Sequence, residues 1–143
     1  MRHVASGGFS LRLPADDAIG LFTPEGERDW VPGWAPVYPD GPASELPGTV
    51  FITEADAVRS IWVIARVDRV GGAASYTRLT PGLHAGRVDV RVADAGTGRC
   101  RVEVGYDMTL LEDAPSQALA AYDPDTFPDV MQEWCDLIEA HLG

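Results

Sequence analysis

The sequence contains no lysine. Its eleven Lys-plus-Arg positions are all arginine, set against 22 acidic residues, for a formal net charge of −11. The missing lysine excludes Schiff-base chemistry on a lysine amine. The deficit of positive charge disfavours general nucleic-acid binding and attachment to anionic lipid surfaces, since the field repels both. Cysteine is scarce: Cys100 and Cys135 lie far apart and form no CxxC. Two are too few for a small secreted disulfide scaffold. They read as buried thiols in a reducing cytoplasm, with one Cys100–Cys135 disulfide as the alternative. No apolar run approaches the ~20 residues of a spanning helix, and "MRHVASGGFSLRLP" lacks the apolar centre of a secretory signal. The expectation is a cytoplasmic protein without stable membrane insertion. His3, His84 and His141 are scattered, with no HxH, HxxxH or HExxH spacing, so neither a metal site nor a cofactor is expected. GxSxG and phosphate-loop spacings are also missing.

What is present is an ordinary globular composition, 45% hydrophobic and 23% charged over 143 residues. One domain, 1–143, is expected. "FSLRLP" alternates Phe9, Leu11 and Leu13 against Ser10 and Arg12, a strand period. Pro14, Asp16 and Asp17 open a short helix that Gly20 and Pro24 limit, and a second short helix leads from Pro24 to Trp30. The proline-rich "APVYPDGPASELPG" is irregular, with room for one edge strand. Strands follow at 48–54, 60–69, 74–80, 86–94 and 99–112. Val88, Val90 and Val92 face one way on their strand. Cys100, Val102, Val104, Tyr106 and Met108 do the same on the next, which describes an antiparallel sheet with one dry face. "SQALAAY" offers a helical turn or two. From "DPDTFPDVMQEWCDLIEAHL" onward the period changes to three and four: Phe127, Met131, Trp134 and Ile138 form one face of a long amphipathic helix. Pro124 and Pro128 leave its start open.

The order is strand, two short helices, five or six antiparallel strands, and one long helix. Together with "LFTPEGERDWVPGW", "GTVF", "RLTPGLHAGRVDVRV", "GRCRVEVGYDMTLL" and the Trp-bearing last helix, this order resembles the helix-grip fold of the START-like (SRPBCC) superfamily, over nearly the whole chain. The resemblance implies an α+β fold. A curved antiparallel six- to seven-stranded sheet wraps around a long C-terminal helix, with two short helices after the first strand. It also implies a cavity between helix and sheet. The superfamily includes lipid and sterol carriers, hormone receptors, pollen allergens, polyketide cyclases and chaperone-activator domains. No catalytic motif common to them is there to be carried over.

Within that frame, Trp30, Trp34, Tyr106, Met131 and Trp134 are the candidate ligand-binding residues, each with ordinary core packing as the competing reading. Trp30 is the better candidate for a plug and Trp34 for a cavity rim, separated by the Pro32-Gly33 bend. Tyr76 and Arg78 share one strand face, and outward is the favoured orientation. Trp62 poses the same problem of facing, with apolar residues on both sides of its strand. Tyr76, Arg78, His84 and Tyr106 are the weak catalytic candidates. The leading function is binding of an apolar or amphipathic, lipid- or polyketide-like small molecule. An aromatase/cyclase- or dehydratase-type enzyme and a protein-interaction module with a filled core are the alternatives. An edge strand leaves a homodimer open, and proline in "PVYPDGP" works against it.

Overall fold

A computed structural model describes residues 1–143. Six strands form one antiparallel sheet: β1 (Arg2–Leu11), β2 (Val50–Ala55), β3 (Val58–Asp68), β4 (Ala73–Thr80), β5 (His84–Asp94) and β6 (Cys100–Leu110). Their spatial order is β1-β6-β5-β4-β3-β2, so the first strand closes the edge beside the last. Helix α1 (Ala15–Ala18) runs into a 3₁₀ turn, Ile19–Phe22, and a second 3₁₀ turn covers Gly26–Asp29. A longer 3₁₀ segment, Ser116–Tyr122, precedes helix α2 (Phe127–Leu142). This is the expected helix-grip α+β arrangement, with six strands.

Strand parity sets the core. Ala5, Phe9 and Leu11, then Val88, Val90 and Val92, then Cys100, Val102, Val104, Tyr106 and Met108, are all buried on one face. The facing of β3 was ambiguous in the sequence because the strand carries a β-bulge: its register against β4 shifts between Ile64 and Arg66. Before the bulge Trp62 and Ile64 point into the core. After it the parity reverses, and Arg66 is outside in an ion pair with Asp68. The extra residue brings Val67 to the core face, while Ile61 and Val63, before the bulge, are half-buried on the outer face.

Helix α2 starts at Phe127, the first residue of the apolar period, which fixes the start that Pro124 and Pro128 left open. Thr126 and Phe127 donate to the Asp123 carbonyl, and Asp125 N–H donates to the Asp123 side chain, so 123–126 is a turn. Pro128 then sits in the first helical turn, where its missing N–H costs nothing. The helix lies against β1. Gly7 makes this possible: a Cβ there would stand 3.2 Å from Met131 Cγ and 3.4 Å from the Phe127 ring. The proline-rich segment contributes one bridge, Val37 to Ile52, which covers part of the exposed edge of β2. Cys100 and Cys135 are free thiols, and the alternative of a disulfide between them does not hold. No helix is long and apolar enough to cross a membrane.

Candidate functional site

α2 covers the β1 side of the sheet, and the inner face of β2–β4 is left to the short helices. Their segment, "TPEGERDWVPGW", is braced by its own polar groups. Thr23 Oγ1 donates to the Gly20 carbonyl and accepts from Gly26 N–H. Arg28 pairs with Glu25 and donates to the Pro36 carbonyl, and Tyr38 donates to Glu25. Trp30 Nε1 donates to the Leu21 carbonyl at 2.7 Å, and Trp34 Nε1 to the Pro24 carbonyl at 2.8 Å. Both indoles are therefore oriented by backbone acceptors, and their rings are free to pack.

They pack on opposite sides of a cavity of about 420 Å³. Trp30 meets Phe22 and Trp134 edge-on, at 5.9 and 5.4 Å between ring centroids. Trp34 meets Phe51 and Trp62, which are stacked on each other 3° from parallel. Tyr76 stands edge-on to both Phe51 and Trp62. Val88, Val90 and Tyr106 contribute the β5–β6 wall, and Trp134 and Leu137 the helix wall. Pro32, Gly33, Glu54, Ala55, Val58 and Glu133 also line the cavity. The last four of these are exposed and border the mouth between the β2–β3 hairpin and α2. All four tryptophans of the chain touch this one space.

The polar groups inside are few. Tyr76 points inward, with its hydroxyl committed to the Phe22 carbonyl at 2.6 Å. Arg78, two residues on, also points inward and is half-buried, contrary to the outward orientation favoured by the sequence. Its burial is possible because neighbours receive it. Nη1 donates to Tyr122 Oη at 2.6 Å, Nε and Nη2 reach Ser60 Oγ at 3.3 and 3.2 Å, and the guanidinium carbon lies 4.7 Å from the Trp62 ring centroid. Tyr106 is buried, stacks on Tyr122 at 4.7 Å, and borders the cavity. Burial raises its hydroxyl, and that of Tyr76, above the ordinary tyrosine range.

Glu27 is the group that sequence reasoning missed. It lies in a 3₁₀ turn without periodicity, so nothing in the sequence distinguishes it from its acidic neighbours Glu25 and Asp29. In the fold its carboxyl is half-buried and lines the cavity. Burial pushes its pKa up to about 8, and the attraction of Arg78 recovers only part of that. Glu27 is therefore largely protonated at neutral pH.

Of the candidates named from sequence, Trp30, Trp34, Tyr76, Arg78, Tyr106 and Trp134 all border the cavity. Met131 does not: it is sealed in the core under Gly7 of β1, one helical turn short of the open region. His84 is buried behind Tyr122, with the rings edge-on at 5.8 Å, and is not part of the lining. Its Nδ1 has no hydrogen-bond partner, and burial, aided by the charge of Arg78, pushes its pKa down to about 4.

No protein-family model matches the sequence, and no curated protein matches it. Solved structures do match the fold. Ginseng major latex-like protein 151 from Panax ginseng superposes with a TM-score of 0.71 at 17% identity, over 99% of this chain and 97% of that one. A START superfamily protein from Mycobacterium smegmatis gives 0.69 at 9% identity, over 96% and 95%. Norcoclaurine synthase from Thalictrum flavum, in complex with dopamine and hydroxybenzaldehyde, gives 0.64 at 13% identity, over 99% and 88%. At such identities the likeness establishes the helix-grip fold of START-like proteins.

Proposed function

We propose that this protein binds an apolar or amphipathic small molecule in the cavity between α2 and the sheet. One observation carries the reading: all four tryptophans converge on a single open space of about 420 Å³, a volume suited to a small organic molecule. A core packed for stability alone fills such a space. The volume counts against the interaction module with a filled core.

The test uses the tryptophans themselves. A panel of lipids and polyketide-like aromatics titrated into the purified protein should quench or shift the indole fluorescence, and organic extraction followed by mass spectrometry should recover any co-purified ligand. Absence of both, with ligand at high micromolar concentration, would remove the reading.

A second reading, acid–base chemistry on the bound molecule, is favoured by Glu27. A carboxyl that holds its proton to about pH 8 beside Arg78 and Tyr106 is equipped to donate or accept a proton inside an apolar site. Tyr76 is bound to a carbonyl and His84 stands outside the lining, so Glu27, Arg78 and Tyr106 are the groups available for it. Turnover that survives removal of all three would reject them.

A further inference from the structure

Arg78 is the only basic side chain in the cavity lining. Six other arginines are in ion pairs, and Arg12, Arg59, Arg91 and Arg99 are exposed to solvent. Arg78 has neither water on all sides nor a carboxylate partner. Its hydrogen bonds go to two neutral hydroxyls, Ser60 and Tyr122, and its flat face to Trp62. A guanidinium carries five N–H groups, and these bonds use three. The two that remain are one on each terminal nitrogen, which is what a carboxylate takes from one guanidinium.

A partly desolvated charge without a counter-ion is costly, and proteins normally supply one. Glu27 shares the cavity and is the obvious internal candidate, yet it forms no ion pair with Arg78 and keeps its proton at neutral pH. The Tyr106 hydroxyl borders the same space and makes no hydrogen bond within the protein. The cavity thus offers a cation and two neutral O–H donors to its contents, in walls otherwise mostly aromatic and aliphatic; the Thr53 and Ser60 hydroxyls are engaged with Trp62, Thr80 and Arg78, and Glu54 and Glu133 lie at the rim.

We propose that the ligand is an apolar molecule ending in a carboxylate, with that carboxylate on Arg78 and accepting from the Tyr106 hydroxyl. The inference rests on the ligand-binding reading above and adds the ligand's head group to it. The acidic rim, Glu54 and Glu133, is exposed, so its repulsion of an incoming anion is screened within about 8 Å at physiological salt, whereas Arg78 is half-buried and its interaction is screened less.

The experiment compares two probes with one skeleton, 4-phenylbutyric acid and 4-phenylbutyramide, by calorimetry and tryptophan fluorescence on the full chain. Near pH 7 the acid should bind about tenfold more tightly than the amide. Arg78→Met should lose the preference, because the acid weakens far more than the amide. Because Arg78→Met also loosens Ser60 and Tyr122, Glu27→Gln supplies an independent reading. In wild type the preference for the acid should shrink as pH rises through about 8, when Glu27 ionises and becomes the internal counter-ion. In Glu27→Gln it should stay constant. Around the pair, Tyr76 and Tyr106 ionise well above that range, His84 is neutral throughout it, Tyr122 is held by Arg78, and Glu54 and Glu133 are at the exposed rim. Equal binding of acid and amide, a preference that survives Arg78→Met, or an identical pH response in Glu27→Gln would overturn the head-group assignment. Failure of both probes, and of neutral aromatics as well, would instead overturn ligand binding itself.

Discussion

Glu27 gives the sharpest test of the site's electrostatics in the absence of any ligand. Its carboxyl ionises near 4.5 in an unfolded chain and at about 8 in the fold. Between those values the folded state holds a proton that the unfolded state has released, so stability falls as pH rises through this window. A carboxyl sealed from water would lose about 5 kcal/mol over that range. That figure is an upper bound, because the cavity is open at its mouth. Glu27→Gln keeps the shape and a hydrogen-bonding amide but cannot ionise. Urea denaturation of both proteins at a series of pH values between about 4.5 and 8.5 should show wild type losing several kcal/mol, up to about 5, relative to the variant as pH rises. The difference between the two curves cancels every other titrating group. A difference that stays flat, or that changes in the opposite direction, would show that the carboxyl is already ionised and well solvated, and the charge argument for Arg78 would fail with it.

Three further outcomes follow from local geometry. His84 has its pKa depressed to about 4, so its contribution to stability is present above about pH 6.5 and is lost as pH falls toward 4; relative to His84→Phe, wild type should lose about 2–3 kcal/mol across that acid window in urea titrations, and parallel curves would refute the burial argument. Asp56 and Ala57 form the two-residue β2–β3 turn with φ of 52° and 64°, a conformation that costs alanine about 1 kcal/mol relative to glycine; Ala57→Gly should therefore raise the denaturation midpoint, and a lowered midpoint would contradict the turn geometry. Gly7→Val would push branched carbons into Met131 and Phe127 and should cost about 1–3 kcal/mol by lifting α2 off β1, which thermal unfolding would register and a neutral result would refute.

The architecture was legible where one period ran undisturbed. β5 and β6 alternate cleanly because their outer faces are solvated, and α2 carries an uninterrupted apolar stripe. Legibility failed where a local irregularity or a distant partner decided the matter. The bulge near Ala65 mixed the two faces of β3, and no pattern in the sequence announces it. Arg78 read as a surface residue because an inward arginine needs acceptors, and those come from Ser60 on another strand and Tyr122, 44 residues away. Glu27 was invisible for the same reason in reverse: its chemistry comes from the cavity around it and from nothing in its own turn. The aromatic stretch "ERDWVPGW" did signal its importance, and Glu27 lies within one turn of Trp30. Met131 misled because helical period places it on the apolar face without saying which part of that face lies over the open end.

The existence of the cavity is itself informative, because of what an empty one would cost. Core cavities cost about 24 cal/mol per Å³, so a dry void of about 420 Å³ would cost about 10 kcal/mol, comparable to the whole stability of a typical domain. The space must therefore hold water or a ligand, and its mouth and the polar groups inside admit both. The cause is geometric. Six strands at ~4.8 Å spacing span roughly 24 Å between the outer axes, and one helix about 10 Å across covers less than half of that width. α2 is committed to β1, and two short 3₁₀ turns cannot fill the remainder. Filling it artificially should then favour the folded state at the expense of binding. Val88 lies between Tyr76 and Tyr106 in the sheet and borders the space. Val88→Ile keeps the β-branch and adds one methylene, for a gain of up to about 0.8 kcal/mol if it enters the cavity. Urea denaturation should show that gain while fluorescence titration shows weaker binding of the apolar probe. A destabilised Val88→Ile would mean that the wall is already packed to contact, and that the ligand, if one binds, enters elsewhere.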